Sequence, residues 1–192
     1  PHVVFVTRLH CVGVEPETGK EVFRFRFGQT GPTVNAATPL AFDKHLFLSA
    51  SYGIGASMYQ VGGGKLSPLW SNDNSMSSQY TTCVQRDGVL FGIHGREDAG
   101  SASLRSVDAK TGKVLWEQDS AVGHLLLAKN YLIVLEVDGR LRLVEPDKHQ
   151  YREAATHNLG DGTWRAIPAL SDGRLFVRDS NEGQIRCLSV SR

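Results

Sequence analysis

Cysteine and histidine are the first places to look for metal or nucleophilic chemistry, and this 192-residue chain has three of one and seven of the other. Cys11, Cys83 and Cys187 lie far apart with no C-x-x-C pair, which argues against a zinc ribbon and a disulfide framework. His2, His10, His45, His94, His124, His149 and His157 show neither H-x-x-x-H nor H-E-x-x-H spacing, so no single element presents two of them to one ion. Serine clusters at Ser49-Ala50-Ser51 and Ser75-Met76-Ser77-Ser78, but outside any G-x-S-x-G elbow, so a serine nucleophile has no support. Gly53-Ile54-Gly55 and Gly62-Gly63-Gly64 read as turn material. Neither opens a helix whose N-terminus could hold a phosphate. Calcium takes about six to eight oxygen ligands, whereas Asp138-Gly139 and Asp161-Gly162 are lone turn pairs. Catalytic, cofactor-binding and metal residues are therefore all expected to be absent.

The 21 basic and 20 acidic residues leave a net charge of +1, with no block of one sign. That removes the electrostatic footprint of nucleic-acid or anionic-lipid binding. No apolar run approaches the roughly 18 residues of a membrane span. With 41% AVILMFWYC, the chain can still bury a sizeable core.

What positions the side chains is a repeat. Short apolar runs centre on Phe5, Phe47, Phe91, Ile133 and Phe176, at steps of 42, 44, 42 and 43 residues. Asp43-Lys44, Asp87-Gly88, Lys129-Asn130 and Asp172-Gly173 precede four of them, as suits tight hairpin turns. A second run follows each first one, at residues 9–14, 58–61, 104–107, 141–144 and 185–190. In the fourth, Leu141 and Leu143 alternate with Arg140 and Arg142, a period of two that predicts one buried and one wet face. A third strand carries an aromatic: Phe23, Trp70, Trp116 and Tyr151. A further segment precedes each hairpin at 34–39, 80–84, 125–127 and 164–168. No 3.6-residue apolar stripe with caps occurs, so helix content should be near zero.

Four antiparallel strands per repeat of 40–50 residues predict an all-β fold, a β-propeller of four-stranded antiparallel blades. The blade repeats fall at about 1–28, 32–72, 79–119, 122–156 and 163–192, within a single propeller segment. The first and last repeats show three strands each and the middle three show four, eighteen in all, so the ring does not close. Pro1 is expected to be a cut inside a larger ring of seven or eight blades. Arg192 is expected to be at or near the natural C-terminus, so the chain would be a C-terminal arc. Its open ends should make residues 1–192 marginal, or prone to associate.

The run Ser106-Val107-Asp108-Ala109-Lys110-Thr111-Gly112-Lys113-Val114-Leu115-Trp116 resembles the tryptophan-docking repeat of quinoprotein-like (pyrroloquinoline-quinone-type) propellers, A-x-D-x-x-T-G-K-x-x-W. Glu15 to Phe23 matches in part, with Phe23 for the tryptophan. The second repeat keeps Gly-Gly-Lys and Trp70, and the fourth is two residues shorter and carries Tyr151. The resemblance covers essentially the whole chain and assigns Gly19, Phe23, Trp70, Gly112, Trp116 and Tyr151 to contacts between blades. The last repeat is similar to the closing repeat of secreted or periplasmic bacterial propellers of the planctomycete type, where the N-terminus supplies the missing outer strand. Residues 22–27 pairing beside 185–190 is the less favoured form of that closure here.

In the family's enzymes the quinone lies between a tryptophan and a vicinal Cys–Cys disulfide, with calcium bridging it to Glu and Asn. This chain has no adjacent cysteines, so neither quinone nor calcium is expected. Cys11 and Cys187 read as small core residues at matching places in their repeats. The leading expectation is a non-catalytic scaffold for a protein or small-ligand partner, with further blades of the same chain completing the ring. The same repeats occur in the lipoprotein of the outer-membrane barrel-assembly machinery, which binds a partner through propeller loops. The alternatives are part of a quinone-dependent alcohol or sugar dehydrogenase, and the sensor propeller of a signalling protein. The resemblance implies a periplasmic or extracellular location. Asn35, His124, Trp164 and Arg165, near the channel mouth, are the candidate partner-binding residues; Trp164 packed under a neighbouring blade is the equal alternative.

Overall fold

At Asp43-Lys44, Asp87-Gly88 and Asp172-Gly173 both turn residues have positive φ, between 43° and 76°. This is the conformation that joins two twisted strands through two residues. These hairpins organise a computed structural model that describes residues 2–63 and 65–190. Pro1, Gly64 and Arg192, on which the expectations about the chain ends and the second glycine turn partly rest, lie outside the described residues.

Among the described residues eighteen strands form five antiparallel sheets of three, four, four, four and three. Sheet I holds β1 (Val3–Val6), β2 (His10–Val14) and β3 (Glu21–Arg26). Sheet II holds β4 (Leu40–Phe42), β5 (His45–Ala50), β6 (Gly55–Gly62) and β7 (Lys65–Asn72). Sheet III holds β8 (Val84–Arg86), β9 (Val89–Arg96), β10 (Ser101–Asp108) and β11 (Val114–Ser120). Sheet IV holds β12 (Gly123–Ala128), β13 (Tyr131–Glu136), β14 (Arg140–Val144) and β15 (Glu153–Asn158). Sheet V holds β16 (Ala169–Ser171), β17 (Arg174–Arg178) and β18 (Ile185–Ser189). Among the described residues the only helical turn is Glu97–Ala99. Three of the four inner strands start later than the sequence suggests: residues 34–39, 80–83 and 164–168 are irregular lead-ins.

Period-two alternation sends each strand's side chains to two different neighbours. Leu46 and Leu48 pack with sheet I and Phe47 with sheet III; Leu132 and Val134 pack with sheet III, Ile133 and Leu135 with sheet V. Four apolar clusters result, one at each boundary between consecutive sheets. The outward faces of sheets I and V belong to none of them, and there Val3, Phe5, Phe176 and Ile185 are exposed. β3 pairs with β2 and β18 with β17, so the 22–27 strand stays in its own sheet.

One bulge recurs at equivalent places: Gly13/Val14, Met58/Tyr59, Ser106/Val107 and Leu143/Val144. It fixes which residue of the outer strand stands opposite: Phe23, Trp70, Trp116 and, in sheet IV, Ala155. Trp70 Nε1 donates to the Ala109 carbonyl at 2.9 Å and Trp116 Nε1 to the Asp147 carbonyl at 2.7 Å, each in the next sheet's outer turn. The Trp70 ring lies where a Cβ on Gly112 would come within 2.8 Å, and Gly112 also has φ +71°, so glycine serves there twice over. Tyr151 does contact the neighbouring sheet, but from a place outside the outer strand. It precedes β15 and packs backward, edge-on to Trp116 at 5.7 Å. Ala155 at the aromatic's place lines a recess of about 800 Å³ between sheets IV and V.

The alternation in the sequence puts Arg142 on a wet face, but in the structure it is 1% exposed, because that face of sheet IV is covered by sheet III. Cys187 is exposed while Cys11 is buried. Cys187 pairs across from Phe176 and Cys11 from Val6, so the two do not share a register position.

Candidate interaction site at the inner rim

Antiparallel connectivity divides the loops between two ends. One end carries the turns that join the first strand to the second and the third to the fourth; all seven lysines (20, 44, 65, 110, 113, 129 and 148) fall at those turns. The other end carries the remaining hairpin loops and the segments between sheets, with Arg8, Arg96 and Arg165 and no lysine.

Arg165 and His124 meet at this lysine-free end. Arg165 forms a two-pronged ion pair with Glu97 of the β9–β10 loop, its Nε donating at 3.0 Å and its second nitrogen to the other oxygen. Glu97 also accepts the Tyr80 hydroxyl at 3.1 Å. The Tyr80 ring packs on His124 at 5.2 Å, and His124 Nε2 bonds the Arg165 carbonyl at 2.9 Å. The ring thus ties sheets III, IV and V together at their inner edge. Hydrogen bonding to Arg165 holds the Glu97 carboxyl below its ordinary value. Burial, then the Glu97 charge, pushes the Tyr80 phenol up, and burial lowers His124. The cluster therefore stays a neutral imidazole, a protonated phenol and a matched ion pair, suited to binding rather than to proton transfer. Arg165 remains 56% exposed by side chain.

The other two candidates are placed differently. Asn35 Nδ2 donates to the carbonyls of Thr7, Arg8 and Phe27, each at 3.1 Å, fastening sheet I to the lead-in of sheet II. Trp164 is fully buried, under Arg186 at 4.9 Å. Sequence reasoning missed Tyr80 and Glu97. Glu97 stands in a loop whose meaning appears only once sheet V curves back within reach.

No three of His, Cys, Asp or Glu converge on a metal position among the described residues. Cys11 and Cys83 are single thiols pushed up to about 12 by burial. The serines are spent on packing: Ser49 donates to the Met76 carbonyl, Ser77 to Ala50 and Ser78 to Ile93, at 2.5, 3.1 and 2.6 Å.

The family model for outer membrane protein assembly factor BamB matches residues 2–123 and again 100–191. The chain belongs to this family. Among solved structures it is similar to BamB from Moraxella catarrhalis, at 16% identity and a TM-score of 0.74, covering 97% of this chain and 53% of that one. It is also similar to a europium-containing methanol dehydrogenase, at 9% identity and TM-score 0.64, covering 100% of this chain and 49% of that one. The computationally designed Ika4 protein gives 15% identity and TM-score 0.55, covering 85% and 94%. No curated protein sequence matches. At these identities the structural likenesses establish the propeller fold alone, and the chain spans about half the length of the BamB structure. No helix among the described residues is long and apolar enough to cross a membrane.

Proposed function

We propose that this BamB-family chain is a non-catalytic scaffold that holds a protein partner at the inner rim of its lysine-free end. The carrying observation is the Tyr80–Glu97–Arg165–His124 ring. It fixes an aromatic and a planar cation in place before any partner arrives, on an end with arginines and no lysine. Interfaces are enriched in tyrosine and arginine and depleted in lysine. The family supports a periplasmic or extracellular site of action. The exposed apolar faces of sheets I and V, with the half-length match to BamB, support further blades of the same protein as covers for both.

A photo-crosslinking residue at Ala99, beside Glu97, should yield adducts in the source cell, and one at Lys129, on the opposite end, should not. Arg165→Ala with His124→Ala should reduce those adducts about tenfold or more, as interface hot spots do, while circular dichroism stays native. Undiminished adducts from a folded double variant would refute the rim. Residues 1–192 in isolation should self-associate as concentration rises, because the two end faces are apolar. Sedimentation showing a monomer throughout the micromolar range would mean those faces need no cover.

A further inference from the structure

A cleft of about 580 Å³ opens on the lysine-free end where sheets I, II and III meet, beside the rim and joined to it by Gln79, which bonds both Tyr52 and the Glu97 backbone N–H. That volume lies in the roughly 300–1,000 Å³ range of small-molecule sites. Tyr52, Asp73, Asn74, His94 and Arg96 line it, with Gln29 at one edge.

Its walls are oriented in advance. The Ser77 backbone N–H donates to His94 Nδ1 at 3.0 Å, so Nε2 carries the ring proton and is a donor. Burial, then Arg105, holds His94 below its ordinary value, so it is a neutral donor at neutral pH. Tyr52 and Gly53, at φ +62° and +75°, form the two-residue turn between β5 and β6, closed by the Ile54 N–H on the Ser51 carbonyl at 3.3 Å. Three contacts hold Tyr52 there. Gln79 Nε2 donates to its hydroxyl at 2.8 Å. Gln29 Nε2 donates to its carbonyl. The Arg96 guanidinium lies 4.7 Å from the ring centroid. Arg96 is balanced by Asp98 at 3.4 Å.

The charges select the ligand. Asp73 and Arg96 line the cleft together, so an ion of either sign meets a like charge as well as an opposite one. A neutral molecule with closely spaced groups that both donate and accept satisfies Asp73 and Asn74 as well as His94 and Arg96. We propose that this cleft binds a neutral polyhydroxylated ligand, a mono- or disaccharide.

The test is titration of the isotope-labelled chain with glucose and maltose, followed through backbone amide and His94 ring signals. The expected result is saturable shifts confined to residues around Tyr52, Asp73 and His94, with a millimolar Kd. Asp73→Asn, at an exposed position, should weaken binding about tenfold with the rest of the spectrum unchanged. Arg165→Ala should leave it intact, which separates this site from the rim. No saturable shift with either sugar, tighter binding of glutamate or inorganic phosphate, or full retention of binding in Asp73→Asn would each overturn the proposal.

Discussion

Arg142→Ala is expected to cost the fold about 3–5 kcal/mol, the loss seen when one partner of a buried ion pair is removed. The Arg142 and Glu136 side chains are 0% and 3% exposed and in direct contact. The guanidinium also donates to Ser120 Oγ at 2.7 Å and to the Tyr151 hydroxyl at 3.2 Å, and Glu136 accepts from the Ser120 hydroxyl at 3.1 Å. Truncation leaves Glu136 charged and dry between sheets III and IV. The double variant Arg142→Met with Glu136→Leu should recover most of the loss, because neither charge then needs solvation. Urea unfolding of the two variants distinguishes these outcomes; a single variant within about 1 kcal/mol of the parent would show that water reaches the pair. Arg105 and Arg186 hold the same register position as Arg142, one sheet before and one after. Arg105 grips the carbonyls of Asn74 and Ser75, and Arg186 the carbonyl of Leu159. Each arginine thus fastens its sheet to the chain leaving the previous one. Arg105→Ala should cost less, since its partner Glu117 is half exposed.

Neighbouring residues should behave oppositely at 164 and 165. Trp164→Ala is expected to lose about 3–5 kcal/mol, as removal of a buried aromatic does. The ring fills the boundary between sheets IV and V with Leu175 and Val177. It sits where a Cβ on Gly139 or Gly162 would come within 2.7 or 3.1 Å of Nε1. Arg165→Ala removes an exposed ion pair and should change stability by no more than about 1 kcal/mol. Thermal unfolding of both variants is the measurement, and equal losses would mean that the rim pair is part of the core.

The blade repeat was legible because period two and the turn chemistry are local. Asp43-Lys44 and Asp172-Gly173 announce hairpins without reference to anything distant. What the sequence hid depends on neighbours. Alternation at Arg140 to Leu143 shows that the strand has two faces, but not that sheet III covers the second. Tyr151 makes its contact backward because the bulge at Leu143/Val144 and the shortened turn together decide which residue faces forward; the shortening is visible in the sequence, and the bulge is not. His124 and Arg165 were chosen for nearness to the channel, and they do meet. Their partner Glu97 is 68 residues from Arg165, and only the curvature of successive sheets brings it there. Trp164 and Arg165 are adjacent in sequence, so nothing short of packing could say which is buried.

The segregation of lysine has a practical side. All side-chain amines project from one end, so amine coupling to a sensor chip or bead would stand the molecule upright, with both the rim and the Tyr52 cleft open to the analyte. Of the three thiols, Cys187 alone is exposed, on β18 of the last sheet. Maleimide coupling there would instead lay the molecule on its side, with sheet V against the support. Comparing the two attachments would report the geometry of any binding event without altering a residue.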